Sequence, residues 1–211
     1  PDGGAATYTL TVENGTGSGI IAEGASVTIT AAEITGAEFG RWEITGLDTS
    51  GLDLTKAELT FTMPASDVTA TAIYEYIDYT VTVVGGTCNN GGENAESITA
   101  EYGDCINIVA EVPTGKRFVR WTSDSAEVVF DSETSDFTSF EMPASDVVVT
   151  AVFEDIDYTV TVTDGTADKT TAHYGDSVTI TAYAAPTGQT FDKWEITGID
   201  TASIDLTQAE L

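Results

Sequence analysis

The sequence predicts an all-β tandem array of small modules, and three recurring motifs predict it. Tyr8-Thr-Leu-Thr-Val12 returns as Tyr79-Thr-Val-Thr-Val83 and as Tyr158-Thr-Val-Thr-Val162. Phe39-x-x-Trp42 returns as Phe118-x-x-Trp121 and Phe191-x-x-Trp194. Met63-Pro-Ala-Ser-Asp-Val68 returns once, as Met142-Pro-Ala-Ser-Asp-Val147. Self-similarity at a long period marks repeated supersecondary units rather than one large domain. The predicted boundaries are a linker at 1–6, module 1 at 7–77, module 2 at 78–156 with an insertion at 89–97, and module 3 at 157–211.

Each copy opens with strict alternation, Tyr8, Leu10 and Val12 on one face and Thr9 and Thr11 on the other, which is the period of a strand. Asn14-Gly15, Gly85-Gly86 and Asp164-Gly165 follow, pairs that suit a type I′ hairpin because both residues tolerate positive φ. Val27, Ile29 and Ala31, matched by Val178, Ile180 and Ala182, alternate as a second strand. The Phe-x-x-Trp strand comes after a glycine-containing turn (Gly36, Gly115, Gly188). Thr60–Met63 and Ser139–Met142 read as a fourth strand, and 68–74 and 147–153 as a closing fifth. Pro64-Ala-Ser-Asp67 has the residues of a tight turn. The only helical signal is Thr55-Lys-Ala-Glu-Leu59 and its partner Thr207-Gln-Ala-Glu-Leu211, a single turn with Thr as N-cap. The joints 75–78 and 154–157 hold neither Gly nor Pro and read as stiff.

Charge narrows the functions. Seven Lys and Arg stand against 35 Asp and Glu, a formal net charge of -28. Nucleic-acid binding exchanges phosphate counterions for Lys and Arg, so this balance argues against it. Anionic membrane surfaces are disfavoured for the same reason, and no apolar run has the length to cross a bilayer. Acidity of this degree fits a self-repelling surface protein or cation binding; adaptation to high salt fits less well, since charged residues make up only 20% of the chain. The opening Pro-Asp-Gly-Gly-Ala-Ala reads as a piece cut from a longer, exported protein whose signal and anchor lie elsewhere.

Taken together, Tyr-Thr-Val-Thr-Val, Tyr174-Gly-Asp-Ser-Val-Thr-Ile-Thr-Ala182, Phe-x-x-Trp and Met-Pro-Ala-Ser-Asp-Val resemble the divergent internalin-type B repeat of bacterial cell-surface proteins. The resemblance covers almost the whole chain. It implies a compact module of β-grasp-like or sandwich-like character, used in stalks and adhesins, and it carries over no catalytic or binding residue. Module 1 departs from the pattern, with Glu23-Gly-Ala25 where the third copy has Tyr174-Gly-Asp176, so those two side chains are not needed by the module itself.

Candidate site residues follow from the same register. Phe39, Trp42, Met63, Phe118, Trp121, Met142, Phe191 and Trp194 are expected in the module cores; an exposed line of indoles would instead make a carbohydrate platform. His173 is the only histidine and aligns with Ala22 and Glu101, so no acid–base or triad constellation has a candidate and no catalytic residue is assigned. Cys88 and Cys105 flank the insertion and are expected to form a disulfide in an exported protein, worth roughly 3 kcal/mol for a loop of this size; two free thiols are the alternative. Glu75, Asp78, Glu154, Asp155 and Asp157 offer oxygen ligands for Ca²⁺ at the joints, though without EF-hand spacing, and no other cofactor is expected.

The expected function is a non-enzymatic, extracellular stalk or adhesive array on a bacterial surface, whose partners are neighbouring repeats and a host or cell-surface protein or glycan. The alternatives are an accessory carbohydrate- or protein-binding module of a secreted enzyme, and a surface-layer or filament-forming component assembled by strand complementation. The last rests on module 3: Leu211 stands as far beyond Trp194 as Leu59 beyond Trp42, so counterparts of Thr60–Tyr76 are not among residues 157–211. That copy is expected to be poorly ordered, or completed by a continuing chain or a neighbour's strand.

Overall fold

A computed structural model describes residues 5–211; most of the expected linker, residues 1–4, lies outside them. The fold is all-β, and no helix occurs among the described residues. Module 1 contains β1 (Thr7–Glu13), β2 (Gly15–Thr16), β3 (Gly19–Ala22), β4 (Ser26–Ala31), β5 (Ala37–Thr45), β6 (Glu58–Thr62) and β7 (Val68–Tyr76). Module 2 repeats this plan as β8 (Asp78–Val84), β9 (Gly86–Asn89), β10 (Ser97–Glu101), β11 (Cys105–Ala110), β12 (Lys116–Ser123), β13 (Phe137–Glu141) and β14 (Val147–Asp155).

Each of these modules is a two-layer sandwich. One sheet has the order β3-β1-β7-β5 and the other β2-β4-β6, with β10-β8-β14-β12 and β13-β11-β9 as their counterparts. The first and last strands lie side by side in parallel, Leu10 opposite Val68 and Val81 opposite Val147, while the other pairs are antiparallel. Alternation on both sheets sends one face inward. Leu10, Trp42, Val68, Ala70 and Ala72 from the first sheet meet Val27, Ile29, Leu59 and Phe61 from the second in one buried cluster. Module 2 has a separate cluster of the same make-up. Of the two fold types expected, the sandwich describes these modules: a second sheet, not a helix, covers the first.

Module 3 contains β15 (Tyr158–Thr159), β16 (Gly165–Ala167), β17 (Thr171–Ala172) and β18 (Ile180–Ala182), in two two-stranded pairs. Its last residue already follows the plan, since Ile180 and Leu211 exchange N–H to O=C bonds of 2.9 and 3.0 Å, as β4 and β6 do at Ile29 and Leu59.

Two local expectations are corrected. The Asn-Gly pair is not a type I′ hairpin: φ is positive at Asn14, Gly85 and Asp164 but not at the glycine that follows. The chain changes sheets there, β1 lying in one layer and β2 in the other, so the two are not hairpin partners. The predicted helical turn is also absent. Asp53 Oδ1 accepts from the N–H (3.2 Å) and hydroxyl (2.7 Å) of Thr55, closing an Asx turn that leads Leu59 into β6; Asp205 and Thr207 repeat it. A carboxylate two residues upstream outcompetes the Thr cap.

Candidate functional site

The Phe-x-x-Trp spacing is made by a bulge. In a regular strand, residues three apart face opposite sides. The register of β5 on β7 slips between Phe39 and Arg41, and that of β12 on β14 between Phe118 and Arg120, leaving one extra residue on β5 (Gly40) and on β12 (Val119). Phe and Trp therefore share the inner face in modules 1 and 2, with ring centroids 5.6 and 5.4 Å apart, and Phe191 and Trp194 lie at a similar 5.5 Å.

Trp42 and Trp121 are each 1% exposed, and Trp194 is 8% exposed. The indole Nε1 of Trp42 donates to Lys56 O (3.1 Å) and that of Trp121 to Ser135 O (3.0 Å). Met63 and Met142 are buried, and Phe39 and Phe118 are half-buried against the same clusters. Phe191 is half-buried too. An indole committed at both its face and its N–H offers no platform on which a sugar could stack.

The Met-Pro-Ala-Ser-Asp motif earns its length through the Asp. Asp67 Oδ1 accepts the N–H of Thr9, and Asp146 Oδ1 that of Thr80, both at 2.7 Å. The turn thereby clips the start of the closing strand to the opening strand of the same module. Sequence reading placed this Asp as a turn former only; the partner, 58 residues away in module 1, had no local signal. Leu47, Leu52 and Leu54 were missed altogether, although they pack on the module 1 core from the loop between β5 and β6.

The expected Cys88–Cys105 disulfide is corrected: both thiols are free. Cys88 lies opposite Ile108, three residues along β11 from Cys105, which places the two Cα atoms about 10 Å apart along the strand, beyond the ~7 Å a bridge spans. The odd offset also turns the side chains to opposite faces: Cys88 is buried and Cys105 exposed. The Cys88 thiol donates to Ala95 O (3.4 Å), and the two residues exchange backbone bonds of 2.8 and 2.9 Å that close the insertion. Burial pushes the Cys88 thiol above its ordinary range.

Three of the five joint carboxylates have side-chain partners. Asp155 pairs with Lys116 (2.8 Å), Glu154 with Arg117 (2.6 Å) and Asp157 with His173 (3.0 Å). The Lys116 ammonium, donating to Asp155, holds that carboxyl below its usual range. Among the described residues no three His, Cys, Asp or Glu side chains converge as a metal site, either at the joint of Glu75 and Asp78 or at that of Glu154, Asp155 and Asp157.

Two shallow clefts, ≈ 430 and ≈ 490 Å³, meet beside the first joint at Gly103, Glu127 and Glu141. The first is lined by Cys105 and by the carboxylates Glu127, Asp131 and Glu141, and the single histidine is in module 3, on Asp157.

A family model described as the divergent InlB B-repeat domain matches residues 8–78, 79–157 and 158–211. The chain belongs to the divergent InlB B-repeat family. This repeat domain is associated with bacterial surface proteins, and here it stands as a tandem of three. Comparison with curated protein sequences finds no match. As a B-repeat array, the chain keeps its aromatic motifs for its own cores.

Proposed function

We propose that this B-repeat segment is a non-enzymatic, extracellular spacer: a stalk or adhesive array that holds other parts of a bacterial surface protein at a set distance. One observation carries the reading. β7 ends at Tyr76 and β8 begins at Asp78, so a single residue, Ile77, separates the closing strand of one module from the opening strand of the next. The N–H of Ile77 donates to Gly36 O, and that of Ile156 to Gly115 O, each at 2.9 Å, so both joints are tied back to the preceding module. Joints this short leave little rotational freedom, and a net charge of -28 keeps such an array extended and soluble. The test is small-angle scattering of the chain with and without EGTA. An elongated particle of narrow size distribution, unchanged by EGTA, is expected; a compact particle or a broad ensemble would overturn the reading.

A second reading, assembly by strand complementation, has its own observation. In modules 1 and 2 the strand after the bulge is paired to β7 or β14, whereas residues 188–197 lie in no strand and the Trp194 Nε1 is buried without a partner. A strand with the pattern of β7, entering between 158–162 and 188–197, would supply the missing sheet partner. Hydrogen exchange in 157–211 that slows with rising protein concentration would favour this reading; concentration-independent exchange would remove it.

A further inference from the structure

The modules share no sheet and have separate cores, so their relative placement must be set at the joints. Gly36 of module 1 faces Tyr102 of module 2: a Cβ built on Gly36 would lie 2.3 Å from Tyr102 Cβ and 3.0 Å from its Cγ. Gly115 of module 2 faces Tyr174 of module 3 in the same way, at 2.2 and 2.8 Å. Gly188, at the same place in module 3, has the same positive φ (85°) but nothing within 4 Å among the described residues.

The tyrosines ride on rigid hairpins. Asp104 Oδ2 accepts the N–H of Glu101, and Asp176 Oδ2 that of His173, each at 3.1 Å. Gly103 N–H donates to Met142 O (2.9 Å), anchoring the first of these hairpins to its own module. Module 1 has Glu23 and Ala25 in place of this Tyr and Asp, and its hairpin meets no preceding module among the described residues. Of the two side chains that the module does not need for itself, the Tyr is thus the one that touches its predecessor.

We propose that Gly36–Tyr102 and Gly115–Tyr174 are the seats that fix the angle between consecutive modules, each glycine accepting the Tyr-Gly-Asp hairpin of the repeat that follows. The opposing atom is a Cβ, tied to the backbone of an anchored hairpin, so no rotamer change relieves a clash there. Any side chain at the glycine must displace the whole following module. The same glycine's carbonyl holds Ile77 or Ile156, so one residue pins both the connecting chain and the neighbour. The inference concerns geometry alone and stands whether the array is a stalk or an adhesin.

The test uses spin labels on the native, exposed Cys105 and on a cysteine introduced by Thr30→Cys on the outer face of β4, in the full chain, with distances read by pulsed electron resonance. Gly36→Ala should shift the mean distance by several ångströms or broaden its distribution. Moving the glycine across the joint, with Gly36→Ala and Tyr102→Gly together, should restore the original distance. Gly103→Ala, at comparable positive φ (86°) with open space around it, supplies the strain without the clash and should leave the distance unchanged. Tyr102→Gly alone, which adds no clash, should broaden the distribution. An unchanged distance in Gly36→Ala, or an equal effect in Gly103→Ala, would overturn the proposal.

Discussion

The indole of Trp42 closes over Gly15: a Cβ on that glycine would lie 3.0 Å from Trp42 Cη2 and 2.5 Å from Thr30 O. Gly86 stands in the same relation to Trp121 (3.1 Å) and Val109 O (2.2 Å), and Gly165 to Trp194 (2.7 Å). The glycine is needed for close approach, not for a special φ. Gly86→Ala should therefore destabilise module 2 by about 1–3 kcal/mol, as overpacking does. Gly51→Ala, with nothing around its Cβ, is the control and should be near neutral. Denaturant melts followed by tryptophan fluorescence measure both.

Trp121→Ala should cost about 3–5 kcal/mol, from the lost volume and the orphaned Ser135 carbonyl. Trp194→Ala should cost less, because its Nε1 has no acceptor to lose and its module has fewer strands around it. Separate unfolding transitions for the modules, assigned by removing one tryptophan at a time, would give the two values. Equal costs would show that module 3 packs its indole as completely as module 2.

Removing the carboxylate of Asp146 leaves Thr80 N–H without its acceptor, so Asp146→Ala should lower stability by about 1–3 kcal/mol. Asp146→Asn keeps an acceptor oxygen and should recover most of the loss. If Asn were as damaging as Ala, the charge rather than the bond to Thr80 would be what counts.

The thiols should react at two rates. Cys105, exposed, should alkylate at once in the native protein, and Cys88, buried with its thiol pushed up, only on unfolding. Mass spectrometry after denaturation without reductant should find two modified cysteines; one pair lost to a bridge would reinstate the disulfide.

Sequence pattern carried most of the fold because alternation and repeated motifs report local geometry. Leu10, Ile29 and Trp42 are inward at the register that period two gives once the bulge is counted. What stayed hidden was long-range. Nothing near Asn14-Gly15 says that the chain changes sheets there, and nothing near Cys88 says that its strand neighbour is Ile108 rather than Cys105. Tyr174 looked dispensable because module 1 folds with Glu23, and its contact with Gly115 crosses a module boundary that no single-repeat comparison spans.

The two sandwiches also differ in charge at corresponding cross-strand positions. On module 2, Lys116 faces Asp155 and Arg117 faces Glu154, whereas on module 1 Ala37 faces Tyr76 and Glu38 faces Glu75. Like charges directly opposite on a sheet destabilise it, and opposite ones add roughly 0.2–1 kcal/mol. Glu38→Arg should thus stabilise module 1 by about 1 kcal/mol at low salt, a gain that shrinks at high ionic strength because both side chains face water. Acid should act on module 2 in the opposite sense. The Asp155 carboxyl is held low by Lys116, so its contribution is complete above the ordinary carboxylate pKa and disappears as pH falls through the lower folded value. Thermal melts of the chain and of Glu38→Arg, at low and high salt and between pH 7 and pH 3, would separate these effects. A Glu38→Arg gain that persisted in high salt would mean that packing of the arginine stem, not relief of the Glu38–Glu75 repulsion, is responsible.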